Sequence, residues 1–327
     1  MKHKTSAMVE SGILAAVAIV MALVSMYVPV LGAFVNFVWP LPIIICGMRN
    51  GFKWSLMSLM VAGIIIGIII SPLQAFFLLA IFGLLGLVIG ECMRRHMEPL
   101  KLMLYGSVGA VAALVINIAL SFWLLGINPV EMMFSSFAQS LSELEAYYRS
   151  SGMSEAEIRQ VVDGYSEMLK MMRIIMPGAF LISAPVLAFV NYMAAKKILT
   201  KLGESFADFP PFTNLQVPGW ILWPYALSLF AVTYFYQNDR ESWLYSLSVN
   251  VQTVCSFVLV LQGIALLYWF VKSRNKPMWW ANIGTMLLFV VPIFSQIMVY
   301  VGAFDIVFDF RTVSYTHLRA HETAANL

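Results

Sequence analysis

Charge is scarce in this sequence. Only 11% of its 327 residues are Asp, Glu, Lys or Arg, about half the share of a soluble domain, so water is excluded as the solvent for most of the chain. The net charge of +3 includes no dense run of Lys and Arg, which argues against a nucleic-acid surface. Cysteine is sparse too. Cys46, Cys92 and Cys255 lie far apart, within or at the ends of apolar stretches and without CxxC spacing, and read as reduced packing residues. No GxSxG, HExxH, P-loop or GxGxxG stands in a suitable setting, and no carboxylate pair occupies an apolar stretch. The sequence therefore predicts no enzyme, and neither a bound metal nor a cofactor. The densest titratable cluster, Glu91, Cys92, His96 and Glu98, is interleaved with Arg94 and Arg95 and reads as a solvated turn.

What is present is hydrocarbon. Hydrophobic residues make up 61% of the chain, and the mean hydropathy is +0.82. Continuously apolar stretches of the length that crosses a bilayer recur at 11–31, 34–48, 54–70, 72–90, 102–125, 174–195, 220–236, 243–271 and 278–301, where about 20 residues suffice for a helix. Helices are expected rather than a barrel because the runs do not alternate, and a helix satisfies its own backbone hydrogen bonds. The fold class is an all-α, polytopic transmembrane helical bundle of about nine spans. The second stretch is short and contains Pro40 and Pro42, so a kinked or re-entrant segment is the alternative there. The basic start Lys2-His3-Lys4 before an apolar run has no A-x-A site after it and reads as an uncleaved first helix.

Basic residues alternate between the loops. The N-terminus, 49–53, 91–101, 196–219 and 272–277 hold 13 of the 20 basic residues and five acids, whereas the opposite side holds seven basic residues and twelve acids. By the positive-inside rule the N-terminus lies in the cytoplasm of a bacterial cell and, with nine crossings, the C-terminus lies outside.

One outside loop is long. Residues 128–173 predict an amphipathic helical hairpin: Asn128-Pro129 opens a helix with Met133, Phe134, Phe137, Leu141, Leu144 and Tyr148 at three- and four-residue steps. A capping box from Ser154 to Glu157 opens a second with Ile158, Val161, Val162, Tyr165 and Met168 on one face. The hairpin reads as a lid over an outward-facing site or a partner surface, or else as a connector lying on the bilayer or bundle. Residues 312–327 break the composition abruptly and resemble translated sequencing-adapter DNA. They are set aside, with His317 and His321, and the native C-terminus is expected to be truncated near Arg311. The chain then divides into a six-span part (1–201), a three-span part (202–311) and this tail.

Two residue patterns carry functional expectations. Ser11, Ala15, Ala18, Ala22 and Ser25 fall on one narrow face of the first helix, where small side chains permit close helix approach. That serves either packing within the chain or docking of another membrane protein. Polar residues in spans tend to face a bundle interior or cavity, and no span has a charge near its centre. Asn36, Gln74 and Asn117 fall in the outer half of the expected topology and, with Trp39 and Trp123, form a candidate solute-binding set. Interhelical hydrogen bonds and an interfacial aromatic belt are the alternatives.

Several segments carry a resemblance. Gly12-Ile-Leu-Ala-Ala-Val-Ala-Ile-Val-Met-Ala-Leu-Val-Ser, the turn Arg49-Asn-Gly-Phe-Lys, the hairpin, Phe209-Pro-Pro-Phe and Phe304-Asp-Ile-Val-Phe-Asp-Phe-Arg resemble the YybS-like family of bacterial multi-pass membrane proteins. That likeness implies a membrane location and carries over no site residues. The first six spans are similar to the S-components of energy-coupling-factor transporters, which dock on their partner through a small-residue first helix; the stretches from Trp220 onward have no counterpart there. The sequence thus points to a solute-binding or transport-related protein in contact with the lipid bilayer. The alternative is a membrane scaffold or regulatory partner without a solute.

Overall fold

The computed structural model describes residues 2–311; the expectations for the tail, His317 and His321 fall outside that range. The elements are helices α1 (Lys2–Tyr27), α2 (Pro29–Val38), α3 (Leu41–Asn50), α4 (Phe52–Ile69), α5 (Pro72–Leu78), α6 (Leu84–Arg94), α7 (Pro99–Leu125), α8 (Pro129–Ser150), α9 (Glu155–Lys201), α10 (Leu222–Asn238), α11 (Trp243–Ser273), α12 (Trp279–Val290) and α13 (Pro292–Phe308). A π-helical turn, Leu79–Gly83, joins α5 to α6. The chain is an all-α bundle. It forms two compact units, one of residues 1–170 and 180–208, the other of residues 171–179 and 209 onward.

Seven helices among the described residues are long and apolar enough to cross a membrane. The second stretch qualifies: α2 and α3 run together as Val30–Asn50, 21 residues across the Trp39-Pro40 break. The stretch at 220–236 is α10, which at 17 residues spans about 25 Å. The 3-10 turn Gly219–Ile221 before it adds about 6 Å, bringing the pair to the ~30 Å of a hydrocarbon core.

The last expected span differs from a simple crossing. Helices α12 and α13 are bent by 120°, because Val291 is extended (φ −123°, ψ 102°) ahead of Pro292, a residue that disfavours helix in its predecessor and lacks an N–H. The start of α12 lies beside α11 through Tyr268 Oη donating to Asn282 Oδ1 (2.6 Å). The end of α13 lies beside the same part of α11 through Gln262 Nε2 donating to Asp305 Oδ2 (2.6 Å). The pair therefore doubles back. Arg311 ends where Lys272 and Asn275 turn, so the described chain ends on the side of the 272–277 turn rather than opposite it. Among the described residues, seven helices thus qualify as crossings by length and composition, and the bent α12–α13 pair has the form of a re-entrant loop.

In the first unit, α1 lays Ala15, Ala18 and Ala22 against Trp39, Ile43, Leu59, Ala62 and Ile66, all buried. Small residues bring the helices close enough for side chains to reach neighbouring backbones: Ser58 Oγ donates to Ser11 O (3.1 Å) and Ser55 Oγ to Ile43 O (2.8 Å). At the hairpin, Asn128 Oδ1 accepts from Val130 N and Glu131 N, and the Ser154–Glu157 capping box is fully formed. The expected second hairpin helix and the sixth span are one continuous helix, the 47-residue α9. At about 70 Å it is more than twice a bilayer core.

In the second unit, α13 packs directly on α11. A Cβ at Gly302 would overlap the carbonyl oxygen of Leu259, and one at Gly263 would overlap that of Met298, so glycine is what permits this approach. Asn250 of α11 explains why residues 171–179 group with this unit. Its Nδ2 donates to Ile174 O (2.7 Å) and its Oδ1 accepts from Gly178 N (2.6 Å). One amide thus holds both members of a pair that would ordinarily bond to each other, next to Pro177.

Candidate functional site

A cavity of about 290 Å³ opens in the first unit. The last turns of α1 contribute Ala22, Ser25 and Met26, α2 contributes Asn36, and α4 ends against it with Ile66 and Ile70. Its far wall is Gln74 and Phe77 of α5 with Ile81 and Phe82 of the π turn. A π turn inserts an extra residue and re-aims side chains, which is why such turns recur at functional positions. Here it directs two large apolar residues into the cavity. Sequence reasoning missed the turn, which has no signature beyond the nearby glycines.

The polar part of the lining is small and uncharged. Ser25 Oγ donates to Asn36 Oδ1 (2.6 Å), which fixes the half-buried Asn36 in the cavity wall. Gln74 stands exposed at the rim. Two amides and a hydroxyl on an apolar wall make a site that receives an apolar body and hydrogen-bonds one edge of it. Among the described residues, no carboxylate, Lys or Arg lines the cavity, and those that do line it select no charged group.

Of the five expected solute-binding residues, the structure brings Asn36 and Gln74 together and leaves three elsewhere. Trp39 is fully buried, and its Nε1 donates to Ala18 O (3.0 Å); an indole N–H in an apolar core requires such a partner, so Trp39 locks the break between α2 and α3 to α1. Asn117 is buried on α7, its Nδ2 without a partner, and does not line the cavity. Trp123 is 79% exposed near the end of α7, where an interfacial aromatic would stand. The small-residue face is used within the chain. Ser11, Ala15, Ala18 and Ala22 are at most 5% exposed, while Ala22 and Ser25 also line the cavity. A partner helix finds no free surface there.

The second unit holds a charged pair that lay beyond the last span in the sequence reading. Asp305 belongs to α13, and its Oδ2 accepts from Arg311 Nη2 at 3.0 Å as well as from Gln262. Arg311 Nη1 donates to Thr213 O (2.7 Å), and Gln262 Oε1 accepts from Val217 N (3.0 Å). Both charged side chains are under 10% exposed, a setting in which ions are tolerated only when paired and hydrogen-bonded. Asp305 and Arg311 are 6 residues apart, but the partners that tie them to the rest of the unit lie 43 to 98 residues away, so local pattern gave no sign of the network.

The Uncharacterized protein YybS of Bacillus subtilis (strain 168) is 25% identical over 315 residues, 94% of this chain and 98% of that protein. No solved structure matches the chain. The model of a family described as predicted membrane protein (DUF2232) matches residues 16–306, and the chain belongs to that family.

Proposed function

We propose that the protein is a solute-binding or transport-related protein of the bacterial cytoplasmic membrane. The first unit would take up a small neutral solute with an apolar body and one hydrogen-bonding edge. The observation that carries this reading is the convergence of Asn36 and Gln74 on one uncharged cavity. Its volume lies near the lower end of small-molecule sites, about 300 Å³, which favours a compact metabolite. Docking through the Ser11 to Ser25 face forms no part of this reading, because Ser11, Ala15, Ala18 and Ala22 are covered within the chain. Binding rather than catalysis is proposed, since the lining offers neither a nucleophile activated by a base nor a charged acid.

The N-terminus is proposed to be cytoplasmic. With α12–α13 doubled back, Arg311 joins the basic side together with Asp309 and raises its Lys and Arg count from 13 to 14; these residues, rather than net charge, bias orientation. A binding screen of the purified protein against neutral vitamins, precursors and metabolites is expected to yield a ligand. Asn36→Leu and Gln74→Leu should each weaken it about tenfold, the loss of one hydrogen bond from a buried partner. Unchanged affinity in both variants would remove the site.

A second reading, a scaffold or regulatory partner without a solute, is favoured by the hairpin. Met132, Phe137 and Tyr147 of α8 and Tyr165 and Met168 of α9 are exposed, apolar side chains available to a protein or to the bilayer surface. Crosslinking from these positions in native membranes separates a protein neighbour from lipid.

A further inference from the structure

A second cavity, about 600 Å³, opens in the second unit at the end of α11. Trp269, Lys272 and Ser273 line it from one face of that helix, at the three- and four-residue spacing that aligns side chains. Arg311 enters from the segment after α13, and Asn214 and Asn275 complete the polar wall. Two features point to an anion. Lys272 is exposed and has no ion partner among the described residues. Arg311 is 94% buried and its Nε is enclosed without any acceptor, although its other two nitrogens are held by Asp305 and Thr213. A buried guanidinium N–H lacking a partner is costly unless something accepts it. Among the described residues, no carboxylate lines the cavity.

We propose that this cavity binds a phosphate group carried on a polar body. Lys272 supplies the free charge, Arg311 is a preorganised donor anchored by Asp305, and Asn214 and Asn275 supply amides for hydroxyls beside the phosphate. The cavity is much larger than a lone phosphate needs, so a headgroup or phosphate ester fits better than the bare ion. Its place beside the basic turn Lys272 to Lys276 puts it where the headgroups of anionic lipids gather against a positively charged membrane protein surface. Both an anionic phospholipid and a soluble phosphate ester present this chemistry. The site lies apart from the cavity of Asn36 and Gln74 and stands independently of it.

The test uses the full chain purified in neutral detergent, titrated by calorimetry with dioctanoyl phosphatidylglycerol and, separately, with glycerol 3-phosphate. At least one should bind: the lipid alone identifies a headgroup site, and the ester, alone or with the lipid, identifies recognition of the phosphate itself. Lys272→Gln should weaken binding about tenfold, as loss of a charge-assisted bond does. Arg311→Lys, which keeps Asp305 paired, should also weaken it. Lys276→Gln, on the same turn but outside the cavity, should leave it unchanged. The proposal is overturned if neither probe binds, if both cavity variants bind like the wild type, or if Lys276→Gln weakens binding as much as Lys272→Gln.

Discussion

The two compact units carry the same kind of polar residue and use it differently. In the second unit, Asn250, Gln262 and Asn282 each bond across to another element, and the polar groups hold a bent helix pair and a long helix in place. In the first unit Asn191 does the same, donating to Phe37 O (2.8 Å), but Asn36 and Gln74 face a cavity with donors and acceptors to spare. An amide inside a span is therefore structural or ligand-facing according to what stands opposite it. Within apolar surroundings the first kind is needed for the fold and the second is dispensable to it.

The contrast is broken most severely at Asp305. Asp305→Ala would leave the Arg311 charge buried and unpaired, at a cost of about 3–5 kcal/mol, and should collapse the melting transition of the detergent-solubilised protein. The double variant Asp305→Leu with Arg311→Met should recover much of that loss. Next comes Gly302→Val, which drives a side chain into the Leu259 carbonyl and separates α13 from α11. Roughly 3 kcal/mol is expected, measured by the same melting experiment, whereas Gly12→Val, with nothing within 4 Å of the added Cβ, should be near neutral. Asn36→Leu should lie below about 1 kcal/mol, because only the bond from Ser25 is lost. A cost as large as that of Asp305→Ala would make Asn36 a structural amide.

The smallest effect belongs to an exposed pair. Lys196 donates to Asp208 Oδ1 (2.6 Å), and this hydrogen bond holds the Asp208 carboxyl below its ordinary value of 3.8. A depressed folded value means that the stabilisation is present above the ordinary carboxylate range and is lost as pH falls through it. Wild type should therefore lose slightly more melting temperature than Asp208→Asn between neutral pH and pH of about 3, and a difference rivalling the Asp305 effect would be out of keeping with a screened surface pair.

Much of this architecture was legible in the sequence. Apolar run length marked the crossings, and Asn128 and the Ser154–Glu157 box marked the hairpin, because both signals are local. The small-residue face of α1 was legible as a packing surface, but its partner was not, since any close neighbour would demand the same residues. Trp39 and Trp123 show the limit: one tryptophan turns inward to Ala18 and the other outward, and span position distinguishes neither. The 120° bend was hidden because Pro292 permits a kink of any size, and the contacts that hold α13 on α11, Gly263 with Gly302 and Gln262 with Asp305, are remote in sequence. The continuity of α9 through Pro177 was hidden for the same reason, as it depends on Asn250, 76 residues from Ile174.

The decisive measurement is the affinity for the solute found by screening, determined side by side for Gln74→Leu and Lys272→Gln. A solute cavity in the first unit predicts a loss of about tenfold for Gln74→Leu and wild-type affinity for Lys272→Gln. Wild-type affinity in Gln74→Leu together with loss in Lys272→Gln would place the solute in the second unit and contradict the proposed function.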